Sequence, residues 1–340
     1  MPTSEPIGVG IVGLGFMGMT HLAAYERAAR DGWPCRVVAA ADPNVGKRLR
    51  QDEARGNIAV EGPGASDVRE YRSAGELLSD PDVKLVSICT PTDTHVKLAT
   101  AALEAGKHVL CEKPVALRAD DIRELKRVAQ RSNRVCMPAM CMRFWPQWKW
   151  LKDRIDDGML GAVRSAQFHR VGAAPTWSQE FYSDPTRSGG ALVDLHVHDA
   201  DFVRFCFGDP TGVSSAGSID HVTTTYRFDR GNEPPLDVVA EGGWLTRGTP
   251  FQMRYVVEFE RATADFDLSL QPQLLLRRDG REEAVATNDD VMNGYDMEIR
   301  YVVRCAAEGL TDTSPNLDDA IAVAELLDAE RASLSSERSR

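Results

Sequence analysis

Over the first 140 residues, short apolar runs alternate with amphipathic stretches. The runs occupy 7–12, rich in β-branched residues, and 36–41, 85–89, 109–110 and 134–140. Between them apolar residues recur at helical spacing. Val96, Ala99 and Leu103 fall at i, i+3 and i+7, with Gly106 placed to stop the helix, and Ile122, Leu125 and Val128-Ala129 repeat the pattern. Buried strands alternating with such helices predict βαβ units, hence a parallel sheet with helices on both faces.

The texture changes near residue 143. A helix over 147–157 is stopped by Gly158, and strand-like runs follow at 163–171, 222–228, 238–245, 254–259, 264–270 and 274–277. Turn-rich pieces separate them, such as 230–235 and Asp279-Gly280. Tyr255, Val257 and Phe259 alternate with Arg254, Val256 and Glu258, as in a sheet with one buried and one less buried face. Helices over 293–308 and 316–333 close the chain. The pattern predicts two domains, 1–142 and 143–340, and the 340-residue length suits about two.

Charge narrows the partners. The chain has 40 basic and 51 acidic residues, a net charge of −11. That balance argues against a nucleic-acid backbone or an anionic membrane as the main partner, since both need a basic face. No apolar run reaches the ~18 residues of a membrane-spanning helix. Residues 1–6 have no basic or apolar leader pattern, so no secretory signal is expected. Seven cysteines, an odd number without C-x-x-C spacing, point to a reducing cytoplasm and away from disulfides or a zinc knuckle.

Three motifs carry chemistry. The first, Gly13-Leu14-Gly15-Phe16-Met17-Gly18, follows a predicted strand and opens a predicted helix, and Asp42 ends the next strand 24 residues after Gly18. That context is what a dinucleotide site needs: glycines for the tight turn, the close approach of a pyrophosphate and the helix–strand packing. The helix N-terminus adds amides and a positive dipole end. A carboxylate at Asp42 suits the ribose hydroxyls of NAD and repels the 2′-phosphate of NADP. NAD is favoured, with NADP left open. The second motif, Cys111-Glu112-Lys113-Pro114, follows a strand directly, where ligands of open parallel sheets sit. Lys113 could donate to a substrate oxygen.

The third motif runs from Gly189 to Asp199 and contains His196-x-His198. On a strand the two histidines would share a face and could bind zinc. The spacing of Leu192, Leu195, Phe202 and Cys206 predicts a helix instead, on which Asp194 and His198 share a face at i, i+4. No metal is expected. Histidine titrates near neutral pH, and a carboxylate beside it can orient it and favour its charged form.

In this order, the glycine loop, Thr90-Pro91-Thr92-Asp93-Thr94-His95, Glu112-Lys113-Pro114 and Asp194-x-x-x-His198 resemble the Gfo/Idh/MocA oxidoreductases. The resemblance spans 7–332. It implies an N-terminal Rossmann domain and then an α+β domain with a large, mostly antiparallel open sheet. It further implies NAD or NADP, a sugar, cyclitol or related polyol as substrate, and a homodimer or homotetramer formed through that sheet. By motif, Lys113, Asp194 and His198 match the catalytic residues. Gly13, Gly15, Phe16, Met17, Gly18, Asp42, Thr90, Pro91, Thr92, His95, Glu112 and Lys113 match the cofactor side. Arg143 matches a position that faces substrate, and His196 stands where many members have glycine.

Substrate contacts are less legible. Trp177 and Tyr182 belong to a loose aromatic cluster able to stack on a sugar ring. His169 and Arg170 are adjacent on a strand and face opposite ways, so at most one reaches a pocket, and His169 is the candidate. Two other functions fit the same motifs: a glycoside hydrolase working by transient oxidation with retained NAD, and a redox-inactive NAD-binding regulator.

Overall fold

The computed structural model describes residues 5–50, 53–54, 60–61, 68–176, 178–231, 233–287 and 292–337. It contains two compact units, 1–141 with 294–322, and 142–293 with 323–340.

The first unit is built on six parallel strands: β1 (Ile7–Val12), β2 (Cys35–Ala41), β3 (Arg69–Tyr71), β4 (Leu85–Ile88), β5 (His108–Glu112) and β6 (Cys136–Ala139). Their order across the sheet is β3-β2-β1-β4-β5-β6, a doubly wound Rossmann sheet that reverses direction between β1 and β4. β1 and β4 are buried almost throughout, because helices cover both faces. The helices here include α1 (Phe16–Arg30), α2 (Ala74–Leu78), α3 (His95–Glu104) and α4 (Ala119–Ser132). α2 starts at a capping box in which Ser73 and Glu76 satisfy each other's backbone amides.

One side chain of this sheet makes stability depend on pH. His108 accepts the Val135 N–H on Nδ1 at 3.1 Å, so that nitrogen carries no proton. Burial, with Arg134 nearby, pushes its pKa from 6.5 down to about 4. The unfolded chain therefore binds a proton more readily than the folded one. The contribution is complete above about pH 6.5 and is lost as pH falls towards about 4. Urea unfolding across that window should show stability falling with pH, and His108→Asn, which keeps an acceptor but cannot titrate, should flatten the slope. An unchanged slope would exclude His108 as its source.

Among its described residues the second unit holds eight strands: β7 (Val163–Ala173), β8 (Gly212–Ser218), β9 (His221–Arg230), β10 (Glu233–Leu245), β11 (Gln252–Phe259), β12 (Thr263–Asp267), β13 (Leu274–Arg278) and β14 (Arg281–Ala284). They form one sheet in the order β8-β9-β10-β7-β11-β12-β13-β14. Only the β10–β7 pair is parallel. The helices α5 (Pro146–Asp157), α6 (Gly190–Asp194) and α7 (Val197–Phe207) belong to this unit. α5 ends at Gly158 in the left-handed region, as its glycine predicts. The core centres on Trp148, whose ring meets Phe168, Phe202, Tyr255 and Phe266 at centroid distances of 4.7–6.3 Å. That tryptophan is a packing residue.

The chain then returns. α8 (Gly294–Glu308) belongs to the first unit, where Asp296 pairs with Arg27 of α1 at 2.7 Å and Arg300 pairs with Asp31. Ile299, Val302 and Val303 are buried. α9 (Leu317–Glu337) ends the described chain. No helix among the described residues is long and apolar enough to cross a membrane.

Candidate active site

The glycine loop separates packing from ligand space. Gly13 has φ +88°, and a Cβ there would lie 2.6 Å from the Cys89 carbonyl oxygen. A Cβ on Gly18 would lie 1.8 Å from the Gly13 oxygen, so α1 could not approach the loop. A Cβ on Gly15 meets nothing within 4 Å, and its φ of −72° suits any residue. Folding does not require glycine at 15, and its bare backbone leaves open space over the loop. Phe16 and Met17, half-buried, follow in the first turn of α1, whose opening amides an α-helix leaves without partners of its own. At the end of β2, Asp42 accepts the Leu14 N–H on Oδ2 at 3.0 Å and the Asn44 N–H on Oδ1 at 2.7 Å. The carboxylate is thereby fixed beside the loop with lone pairs to spare. This cradle fits the phosphates and a ribose of a dinucleotide. Gly15→Ala should leave thermal stability unchanged and weaken NADH binding about tenfold or more, read by fluorescence titration. Unchanged affinity would remove the loop from the binding site.

The next segments cap β4 and β5 at their carboxyl ends. Pro91 is exposed and Thr90 half-buried, with Thr90 Oγ1 2.7 Å from Thr94 Oγ1. Lys113 is half-buried, and the Lys113–Pro114 bond is cis. Three residues matched to the cofactor side sit differently. Thr92, His95 and Glu112 are buried and have almost no surface to offer a ligand. His95 bridges two loops, Nε2 to Thr90 O at 2.7 Å and Nδ1 to Pro114 O at 2.9 Å. Burial pushes its pKa down against the pull of those carbonyls. Glu112 accepts the Lys113 N–H on Oε2 at 3.1 Å, and its Oε1 lies 2.9 Å from His21 Nε2 of α1. These groups hold the Lys113 segment from behind. Sequence reasoning missed His21, which no motif marks.

In the second unit, Asp194 ends α6 and His198 lies in the first turn of α7. From 190 to 203 only these two side chains are half-buried; the rest are buried. The single helix predicted here is broken at Leu195-His196. His196 turns inward and is fully buried, so the two histidines do not form a pair. Among the described residues no group of three His, Cys, Asp or Glu side chains is placed to hold a metal.

Of the other substrate candidates, Arg143 is turned inward. Arg143 is buried in a two-pronged ion pair with Asp201, Nε to Oδ2 at 2.9 Å and Nη2 to Oδ1 at 2.6 Å, and has no face left for a substrate. His169 and Arg170 do face opposite ways. Arg170 grips buried Asp199 of α7 at 2.8 and 3.1 Å. His169 lies on the other, less buried face of the sheet, its Nδ1 2.9 Å from Glu241, which also meets His221 at 2.7 Å. Asp199 and Asp201 signal themselves in sequence only as excess acid in an apolar helix. Tyr182 is half-buried, edge-on to Trp244 at 5.7 Å. Trp177 lies outside the described residues.

Residues 7–140 match the family model described as "Oxidoreductase family, NAD-binding Rossmann fold", and residues 148–271 match the "GFO/IDH/MocA C-terminal domain". The chain is 28% identical over 263 residues to a levoglucosan dehydrogenase of Pseudarthrobacter phenanthrenivorans, covering 69% of this chain and 62% of that protein. It is 27% identical over 237 residues to a myo-inositol 2-dehydrogenase of Thermotoga maritima, covering 66% and 65%. The matches thus span somewhat less than two thirds of these curated relatives. A solved levoglucosan dehydrogenase in complex with NADH and L-sorbose superposes with a TM-score of 0.80 at 23% identity, covering 98% of each chain.

Proposed function

The chain belongs to the Gfo/Idh/MocA oxidoreductases, with their NAD-binding Rossmann domain, and from that premise we propose that it interconverts a secondary hydroxyl and a ketone on a sugar, cyclitol or related polyol. The observation that carries the proposal is Lys113: an ammonium at the carboxyl end of β5, in the sheet whose glycine loop leaves room for a dinucleotide. The named relatives, which include dehydrogenases of an anhydrosugar and of an inositol, support the substrate class.

Bound NAD supplies the hydride acceptor. The protein does the rest. The loop amides and the α1 N-terminus hold the pyrophosphate, and Asp42 accepts from ribose hydroxyls, which favours NAD over NADP. Thr90 and Pro91 line the nicotinamide side. Lys113 donates a hydrogen bond to the substrate oxygen and stabilises its developing negative charge. His198 takes the hydroxyl proton in the oxidising direction and returns it in the reduction, with Asp194 orienting the ring. Tyr182 is the remaining aromatic candidate for the sugar face. The less buried face of the eight-stranded sheet supports a homodimer or homotetramer. Five buried cysteines suit a cytoplasmic protein.

The test supplies NAD or NADP with a panel of cyclitols, aldoses, anhydrosugars and sugar acids and follows absorbance of the reduced cofactor. Reduced cofactor equal to ketone product, larger with NAD, is expected. Turnover of a glycoside without net reduction would replace this reading with the hydrolase. Tight NADH binding without turnover of any polyol would replace it with the regulator.

A further inference from the structure

We propose that His196 is the positioning residue that sets Asp194 and His198 in register, anchored through its ring to Glu330 of α9. This rests on the reading of Asp194 and His198 as the proton-handling pair.

The backbone between those two residues is not a regular helix. Leu195 and His196 both donate to the Ala191 carbonyl, at 2.9 and 2.8 Å, so the turn widens to a five-residue step. It then tightens: the His198 N–H reaches back three residues to Leu195 O at 3.3 Å, and the Asp199 and Ala200 N–H groups share the His196 oxygen at 3.0 Å. A ladder that changes step twice within five residues does not by itself fix the angle between Asp194 and His198. Something outside the turn must.

The His196 side chain supplies it. Its Nε2 lies 3.1 Å from Tyr226 Oη and 3.1 Å from Glu330 Oε2. Glu330 is fully buried and also accepts from the Tyr226 hydroxyl at 2.8 Å and the Thr224 hydroxyl at 3.0 Å. Thr224 continues to Ser215 Oγ at 2.9 Å, and Ser333 of α9 accepts the Ser215 N–H at 2.9 Å. One imidazole thus ties the turn to the sheet and to the part of α9 that lies in the same unit. The fit is steric as well. A Cβ on Gly242 of β10 would lie 2.7 Å from both Cβ and Nδ1 of His196, so the ring rests on bare backbone. Burial opposes the charged form of the ring, but Glu330 outweighs it and raises the pKa, consistent with a buried carboxylate whose countercharge is this histidine. Three residues on, Asp199 is gripped by Arg170. The turn is pegged inward on both sides, and the two half-buried side chains are left on its outer face.

Steady-state kinetics with NADH titration tests this. His196→Ala should lower kcat roughly tenfold or more while NADH affinity stays unchanged, because misplaced groups slow chemistry without touching the nucleotide loop. His196→Gln, whose amide nitrogen can replace Nε2 as donor, should recover most of kcat. In a His198→Asn background the His196→Ala loss should vanish, because a positioning residue acts through the group it positions. An undiminished loss there, or wild-type kcat in His196→Ala, overturns the proposal. Should His196→Ala not fold, Glu330→Gln carries the test: a several-fold fall in kcat at constant NADH affinity is expected, and unchanged kcat overturns it. Wild-type turnover in His198→Asn alone overturns the catalytic reading as well, whereas an inactive His198→Asn beside a fully active His196→Ala overturns only the peg.

Discussion

Lys113→Met is expected to cut kcat by about 10²–10⁴ and to leave NADH affinity within a factor of about two, because in the proposed reaction it deletes the donor to the reacting oxygen. Methionine keeps the length and most of the apolar stem of lysine. The backbone of the segment has supports of its own. The Lys113 backbone N–H is held by Glu112, Glu112 is met by His21, and the Pro114 carbonyl is met by His95. Stopped-flow or steady-state turnover beside a fluorescence titration separates the two effects. Loss of NADH binding together with turnover would mean that Lys113 holds the loop, and unchanged turnover would remove it from the chemistry.

Arg170→Met should destabilise the second unit strongly, by about 3–5 kcal/mol. The guanidinium is buried, bonded twice to Asp199 and stacked 5.1 Å from the Trp148 ring centroid. Removing it strands a fully buried carboxylate in the apolar core. Thermal unfolding should show a Tm lower by about 6–20 °C. Adding Asp199→Leu should restore much of the loss, since the cost lies in the unpaired charge and not in the missing pair. A single variant as stable as wild type would show that water or another cation reaches Asp199.

The sequence is most legible where one physical demand fixes one residue. Gly13 and Gly18 are glycine because a Cβ would strike a carbonyl, whereas a Cβ on Gly15 would meet nothing. Five of the six strands of the first sheet announce themselves as apolar runs because their faces are buried, whereas β3, largely exposed, carries no such run. The opposite facing of His169 and Arg170 follows from alternation alone. What motifs withhold is direction. His95 and Glu112 occur in the expected segments, yet their side chains turn under the loops, because buried backbone groups there need partners. Arg143 is likewise consumed by Asp201, a partner 58 residues away that no local pattern marks. β8 carries no strand signal because its residues are glycine, serine, alanine and a single valine, without an apolar stripe. The amphipathic face of α8 says that it packs, not on which sheet.

The return of α8 constrains how the protein is made. The Arg27–Asp296 and Asp31–Arg300 pairs and the buried Ile299, Val302 and Val303 complete the nucleotide unit with residues from the far end of the polypeptide. A ribosome that has released only the first 141 residues has delivered six parallel strands, but with the flank of α1 still bare. That half must wait, exposed to proteases and to other nascent chains, until more than 150 further residues have emerged.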